Sequence, residues 1–210
     1  MRRFVCIAAL LIVSLVAAGC ATTKGKISNG NYDSPMGNFS LSLPNYVGLK
    51  VQDEKDEYGG RVSMHGSFGG QQAVTYLRLP ESVNFLHQDS AEKDAAYRSF
   101  VTDVMMPELF VRASPQAKII HEEYLYKDDK RAYFAVVNIP EGSVLVDMKN
   151  NKRLDSVRGL LVFSKNGFMY MLESEMNSIL SPINPSNLSR KEIEFSQASL
   201  NKIRNSITFK

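Results

Sequence analysis

His65-Gly66-Ser67-Phe68-Gly69 holds the ingredients of nucleophilic serine chemistry, which needs a serine on a strained turn with a histidine in reach. The spacing is wrong for it. A nucleophile elbow reads Gly-x-Ser-x-Gly, whereas Gly66 abuts Ser67, so the segment reads as a glycine-rich hairpin turn. The other histidines are His87 and His121, and none of the three pairs with another at a metal-ligand spacing. His121-Glu122-Glu123 lacks the second histidine that a zinc-binding helix presents four residues on. Asp53-Glu54-Lys55-Asp56-Glu57 could hold a divalent cation but reads first as a solvated loop. Thioethers suit Cu(I), and Met105-Met106 and Met169-Tyr170-Met171 are the best methionine pairs; core packing explains them more simply. Tyr124 and Tyr126 share a strand face with Tyr133 opposite, either as sheet core under a helix or as a groove for an apolar ligand or peptide.

Cys20 is the residue with the strongest chemical context. Met1-Arg2-Arg3 and the apolar run Phe4–Ala18, interrupted only by Ser14, have the charge and length of an export signal. Val16-Ala17-Ala18-Gly19-Cys20 resembles the bacterial lipobox, with Ala17 where a leucine is usual. The resemblance implies cleavage before Cys20 and lipid attachment to it. Two other readings are a plain secretory signal and an uncleaved anchor, the latter disfavoured because a span needs about 18 or more apolar residues. Triacylation would make anchoring essentially permanent, since one acyl chain alone binds only marginally. Ala21 follows where an aspartate would signal inner-membrane retention in Gram-negative lipoproteins. The outer membrane's periplasmic leaflet is therefore the expected location.

Once residues 1–19 leave, the chain has the size of one ordinary domain. The formal charge of +3 includes Arg2 and Arg3, so the mature chain is nearly neutral and a nucleic-acid partner is not expected. Of two cysteines, Cys6 lies in the signal and Cys20 is blocked by lipid, leaving no thiol for a disulfide. Stability must come from apolar burial.

The elements that would position any site follow from periodicity. Ala21–Asn31 is small and polar and reads as a flexible tether. Asn38–Pro44 alternates as a half-buried strand stopped by proline. Arg61–Ser67 and Ala73–Leu79 form a hairpin across Gly69-Gly70. Asp89-Ser90-Ala91-Glu92 has capping-box spacing, and Tyr97, Phe100, Val101, Val104 and Met105 make one helical face that Pro107 should end or kink. Ala117–Tyr126 meets Arg131–Asn138 across Lys127-Asp128-Asp129-Lys130. Val157–Phe163 meets Phe168–Glu173 across a turn in which Asn166-Gly167 supplies positive φ. Asp147–Asp155 reads as an exposed basic loop. Ser181–Pro185 is a linker, and Ser189-Arg190-Lys191-Glu192 caps a terminal helix with the stripe Ile193, Leu200, Ile203 and Ile207. Strands, helix, strands, helix predict an α+β fold, a largely antiparallel sheet covered by two main helices.

This order, with the phrase Gly37–Pro44, the hairpin through Arg61–Leu79 and the closing segment Leu200–Ile207, resembles the PsbP-like α/β/α sandwich and bacterial lipoproteins of the DcrB type. The resemblance spans nearly all of the chain after about residue 32. It implies a non-enzymatic accessory or binding module and offers no catalytic residue to carry over. The expectations are a signal over 1–19, a lipidated Cys20 and tether over 20–31, and a single α+β domain over 32–210. No catalytic, cofactor or metal residue is expected, and the partners are the membrane, through the N-terminal lipid, and an envelope protein. The alternative is a carrier of a lipophilic or small-molecule ligand.

Overall fold

The computed structural model describes residues 24–67, 70–80, 90–127, 130–143, 145–176 and 183–210. Cys20 and the signal before it, Phe68-Gly69, His87, Asp89, Asp128-Asp129 and Ser181-Pro182 lie outside these residues. The chain is α+β, as expected. A seven-stranded antiparallel sheet is ordered β4-β5-β6-β12-β11-β8-β7, with β4 Lys50–Lys55, β5 Gly59–His65, β6 Gln71–Arg78, β7 Lys118–Lys127, β8 Lys130–Ile139, β11 Ser156–Lys165 and β12 Phe168–Glu175. A four-stranded sheet orders β1 Lys26–Ser28, β2 Asn31–Asp33, β3 Phe39–Ser42 and β13 Ile207–Phe209 side by side.

Each face of the large sheet has its own core. On one, helix α1 (Ser90–Ser99) and the π-helical stretch π1 (Phe100–Val111) bury Tyr97, Val101, Met105 and Phe110 against Tyr133, Leu160, Val162, Met169 and Met171. On the other, α2 (Arg190–Asn205) and the small sheet bury Tyr32, Phe39, Leu41, Leu200 and Ile203 against Val74, Tyr76, Phe134, Leu161 and Tyr170. Strand alternation explains the division, because odd and even positions of β11 and β12 must face opposite cores. Strands covered on both sides are apolar throughout, and every residue of Phe168–Glu175 is buried.

Both predicted hairpins form. Lys165 pairs with Phe168 across Asn166-Gly167, whose φ angles of 49° and 76° match the right-handed twist of the strands. Lys127 pairs with Lys130, so that connection is two residues and not four. The Ser189 capping box is complete: the Ser189 hydroxyl accepts from Glu192 N–H at 3.3 Å, and the Glu192 carboxylate accepts from Ser189 N–H at 2.6 Å.

Five expectations need correction. The tether expected over 20–31 ends early, because Lys26–Ser28 pairs with Asn31–Asp33 across Asn29-Gly30, both at positive φ. Asn-Gly suits a two-residue hairpin turn, and that signal outweighs the polar composition. Asp53-Glu54-Lys55 is not loop but the end of edge strand β4, where alternate exposed positions tolerate charge. Pro107 does not stop the helix. Arg112 N–H reaches the Pro107 carbonyl at 3.2 Å, five residues back, and burial of Met105, Met106 and Phe110 holds the wide turn. The loop 147–155 contains a short ladder, β9 Val146–Asp147 with β10 Lys152–Arg153. Ile207 is in β13 and not in the terminal helix; Ile207-Thr208-Phe209 has the β-branched and aromatic composition of a strand, and it pairs with β3.

Candidate functional site

The residues singled out for chemistry do not converge. His65 ends β5, where burial first and then the charges of Arg158 and Arg61 push its imidazole below the usual range. Ser67 N–H donates to the Val47 carbonyl at 3.0 Å, a turn contact. His121 sits on β7 with its ring 5.9 Å from that of Phe134 and its Nε2 3.5 Å from Glu123. Met105, Met106, Met169 and Met171 do come together, inside one buried apolar cluster with Tyr97 and Phe110. Among the described residues no three His, Cys, Asp or Glu side chains group as metal ligands.

The tyrosines are placed differently from either reading. Tyr133 is core, but Tyr124 and Tyr126 are 37% and 59% exposed, so neither lies under a helix. Strand β7 is the last of the sheet, and the cover ends there. What α1 adds at this edge is a pair of polar clasps, one turn apart. Asp94 accepts from the Tyr126 hydroxyl at 2.5 Å and from Arg131 at 3.1 Å, and the Arg131 guanidinium lies 4.7 Å from the Tyr126 ring centre. Arg98 places two nitrogens on Glu122, both at 3.1 Å, and the Tyr133 hydroxyl donates to the same carboxylate. Arg98 and Tyr133 hold the Glu122 carboxyl below the usual glutamate range. Tyr124 packs on Tyr133 with ring centres 5.4 Å apart. The result is an exposed patch of tyrosine and arginine fixed in position, the composition that dominates protein-binding hot spots.

A second polar cluster escaped the sequence reading. Glu173 is fully buried and accepts from Arg61 at 2.8 Å and from Arg158 at 2.6 Å. Arg61 also donates to Thr75, and Arg158 Nε donates to Ser156, whose hydroxyl donates to Glu175 at 3.1 Å. Burial alone would raise the Glu173 carboxyl, but the two guanidinium charges outweigh it and hold it below the glutamate range. The cluster occupies the same sheet face as Met169 and Met171, at the opposite end of β12. Its charges neutralise one another, two cations against two carboxylates, which makes it a structural brace. The available signal was Phe168-Met169-Tyr170-Met171-Leu172-Glu173-Ser174-Glu175: alternation puts Glu173 and Glu175 on one face of a strand otherwise apolar. Which arginines would meet them depends on strand order, which alternation does not reveal.

The opposite edge of the large sheet carries the start of the described chain. Gly25 N–H donates to the Asp53 carboxylate of β4, and Gly25 lies against the Tyr32 ring with no room for a side chain. Tyr32 is buried and its hydroxyl is raised far above the usual range by that burial; the neighbouring Tyr76 is pushed up to about 12, again mainly by burial.

No family model matches the chain, and no curated protein matches it. Among solved structures it is similar to the cyanobacterial PsbP of Synechocystis sp. PCC 6803, with 12% identity and a TM-score of 0.45 over 92% of this chain and 97% of that one. It is also similar to the Ran-binding protein Mog1p of Saccharomyces cerevisiae, at 9% identity and a TM-score of 0.45 over 90% and 96%. A protein of Bacteroides thetaiotaomicron matches at 9% identity and a TM-score of 0.42, over 88% of this chain and 49% of that one.

Proposed function

We propose that this chain is a non-enzymatic cell-envelope lipoprotein of PsbP-like fold, held by lipid on Cys20 in the periplasmic leaflet of the outer membrane, that works by binding a protein partner. One observation carries the binding half: the exposed Tyr124, Tyr126, Arg98 and Arg131 patch stands on the sheet edge opposite the edge to which Gly25 is attached. Six strand spacings of about 4.8 Å separate the two edges, roughly 29 Å. A domain tethered at one edge presents the other to whatever approaches. The carrier reading has less support, since the aromatic side chains of the two cores pack on one another, as Phe39 does on Tyr76 at 5.2 Å and Phe163 on Tyr170 at 5.6 Å.

The anchor is tested by Cys20→Ser and fractionation of the envelope. The expected result is movement of the protein from the membrane to the soluble periplasmic fraction; unchanged sedimentation with the membrane would remove the lipid from the reading. Binding is tested with a photo-crosslinking residue at position 126 in intact cells. A reproducible protein adduct is expected, absent when the probe sits at Gln52 on the opposite edge, and equal labelling from both positions would count against the patch.

A further inference from the structure

The two edges of the large sheet are built differently, and the difference points to a specific occupant. Strand β4 exposes Lys50, Gln52 and Glu54, a charged and polar edge of the kind that repels another strand. Strand β7 is irregular only at its start, where the register with β8 shifts between Ile119 and His121. From His121 to Lys127 it runs regularly as an outermost strand of the sheet, with two exposed tyrosines. Lys127 and Lys130 close a two-residue turn, and such a closing pair bonds to its partner strand. Alternation then directs the backbone N–H and C=O of His121, Glu123, Leu125 and Lys127 toward β8 and those of Glu122, Tyr124 and Tyr126 outward.

We propose that β7 pairs antiparallel with β7 of a second copy of this chain about a two-fold axis through Leu125. In that register each outward-bonding Tyr124 meets Tyr126 of the other copy, and the backbone groups of these residues close four hydrogen bonds. On the other sheet face each Glu123 meets Lys127 of the other copy, and the two Leu125 side chains face one another at a non-hydrogen-bonded position. Two aromatic pairs, two opposite-charge pairs and one leucine pair satisfy the sequence against itself, as an isologous interface requires. Sliding the axis to Tyr124 sets each Glu122 against a tyrosine and each His121 against Lys127, and loses every complementary charge. The inference rests on reading this edge as the binding surface and names its occupant.

The test uses the lipidated protein in its own membrane and, in detergent, analytical ultracentrifugation. Leu125→Cys is expected to form an intermolecular disulfide under mild oxidation, because facing residues at such a site have Cβ atoms about 4.5–5.5 Å apart. Gln52→Cys on β4 is expected to form none. Lys127→Glu should weaken self-association about tenfold, since it turns two attractive pairs repulsive, and Glu123→Lys combined with Lys127→Glu should restore it. These positions are at the edge, so the charge pair decides the matter even if Leu125→Cys disturbs packing beneath α2. A sedimenting monomer at all concentrations, or a double variant no better than the single one, overturns the pairing. A probe at Tyr126 that captures only a different protein overturns it too while leaving the binding role of the edge in place.

Discussion

Glu173 holds two arginines that would otherwise repel each other in a buried site, so its removal should cost far more than a surface ion pair does. Glu173→Gln is expected to destabilise the fold by about 3–5 kcal/mol in denaturant unfolding, since Arg61 and Arg158 keep their charge and lose its partner. Replacing all three by apolar residues of similar volume should cost much less. The sign of the pH dependence follows from the depressed carboxyl: its contribution is present above the unfolded-state value of about 4.3 and is lost as pH falls through the lower folded-state value. The acid limb of the stability curve below about pH 5 should therefore be shallower in Glu173→Gln than in the parent. At this scale the sequence was partly legible. Placing Tyr124 and Tyr126 on one face was sound, but their exposure depended on β7 being an edge strand, a property of sheet order and not of local pattern.

Elements that carry their own start and stop signals were the most readable. Ser189 and Glu192 define the N-terminus of α2 by a reciprocal pair of hydrogen bonds, and Ser189→Ala should lower stability by about 1 kcal/mol, measurable as a shift in the urea midpoint with an unchanged slope. Asn166-Gly167 fixed the β11–β12 hairpin because few residues accept two successive positive φ angles. Gly167→Ala should cost about 1 kcal/mol through the strain of a β-carbon at φ 76°, although open space surrounds it. Elements decided by distant contacts were not readable. Proline normally ends a helix, and π1 continues through Pro107 only because its apolar face is buried on the sheet. Ile207 keeps helical spacing with Leu200 and Ile203, yet β3 offers an unpaired edge that takes Ile207–Phe209 as a strand.

At the scale of the molecule, the α+β class and element order followed from periodicity, whereas the small sheet did not, because three of its strands have only three residues and assemble around one another. Its consequence is a domain that begins at about Gly25 and not at Tyr32. A chain starting at Tyr32 loses β1 and the backbone that lies on the Tyr32 ring, and its melting temperature should fall by several degrees relative to one starting at Lys24. The same feature governs how the protein bears mechanical load. If Cys20 is fixed in a bilayer, any drag on the domain is transmitted through Gly25 to β1. That strand would peel from β2 rung by rung, Lys26 from Asp33, then Ile27 from Tyr32, then Ser28 from Asn31. Rupture of this short ladder lengthens the leash by roughly 25 Å, at about 3.5 Å for each freed residue, while the seven-stranded sheet stays intact. The β1–β2 hairpin would thus act as a mechanical fuse, yielding before the body of the protein does.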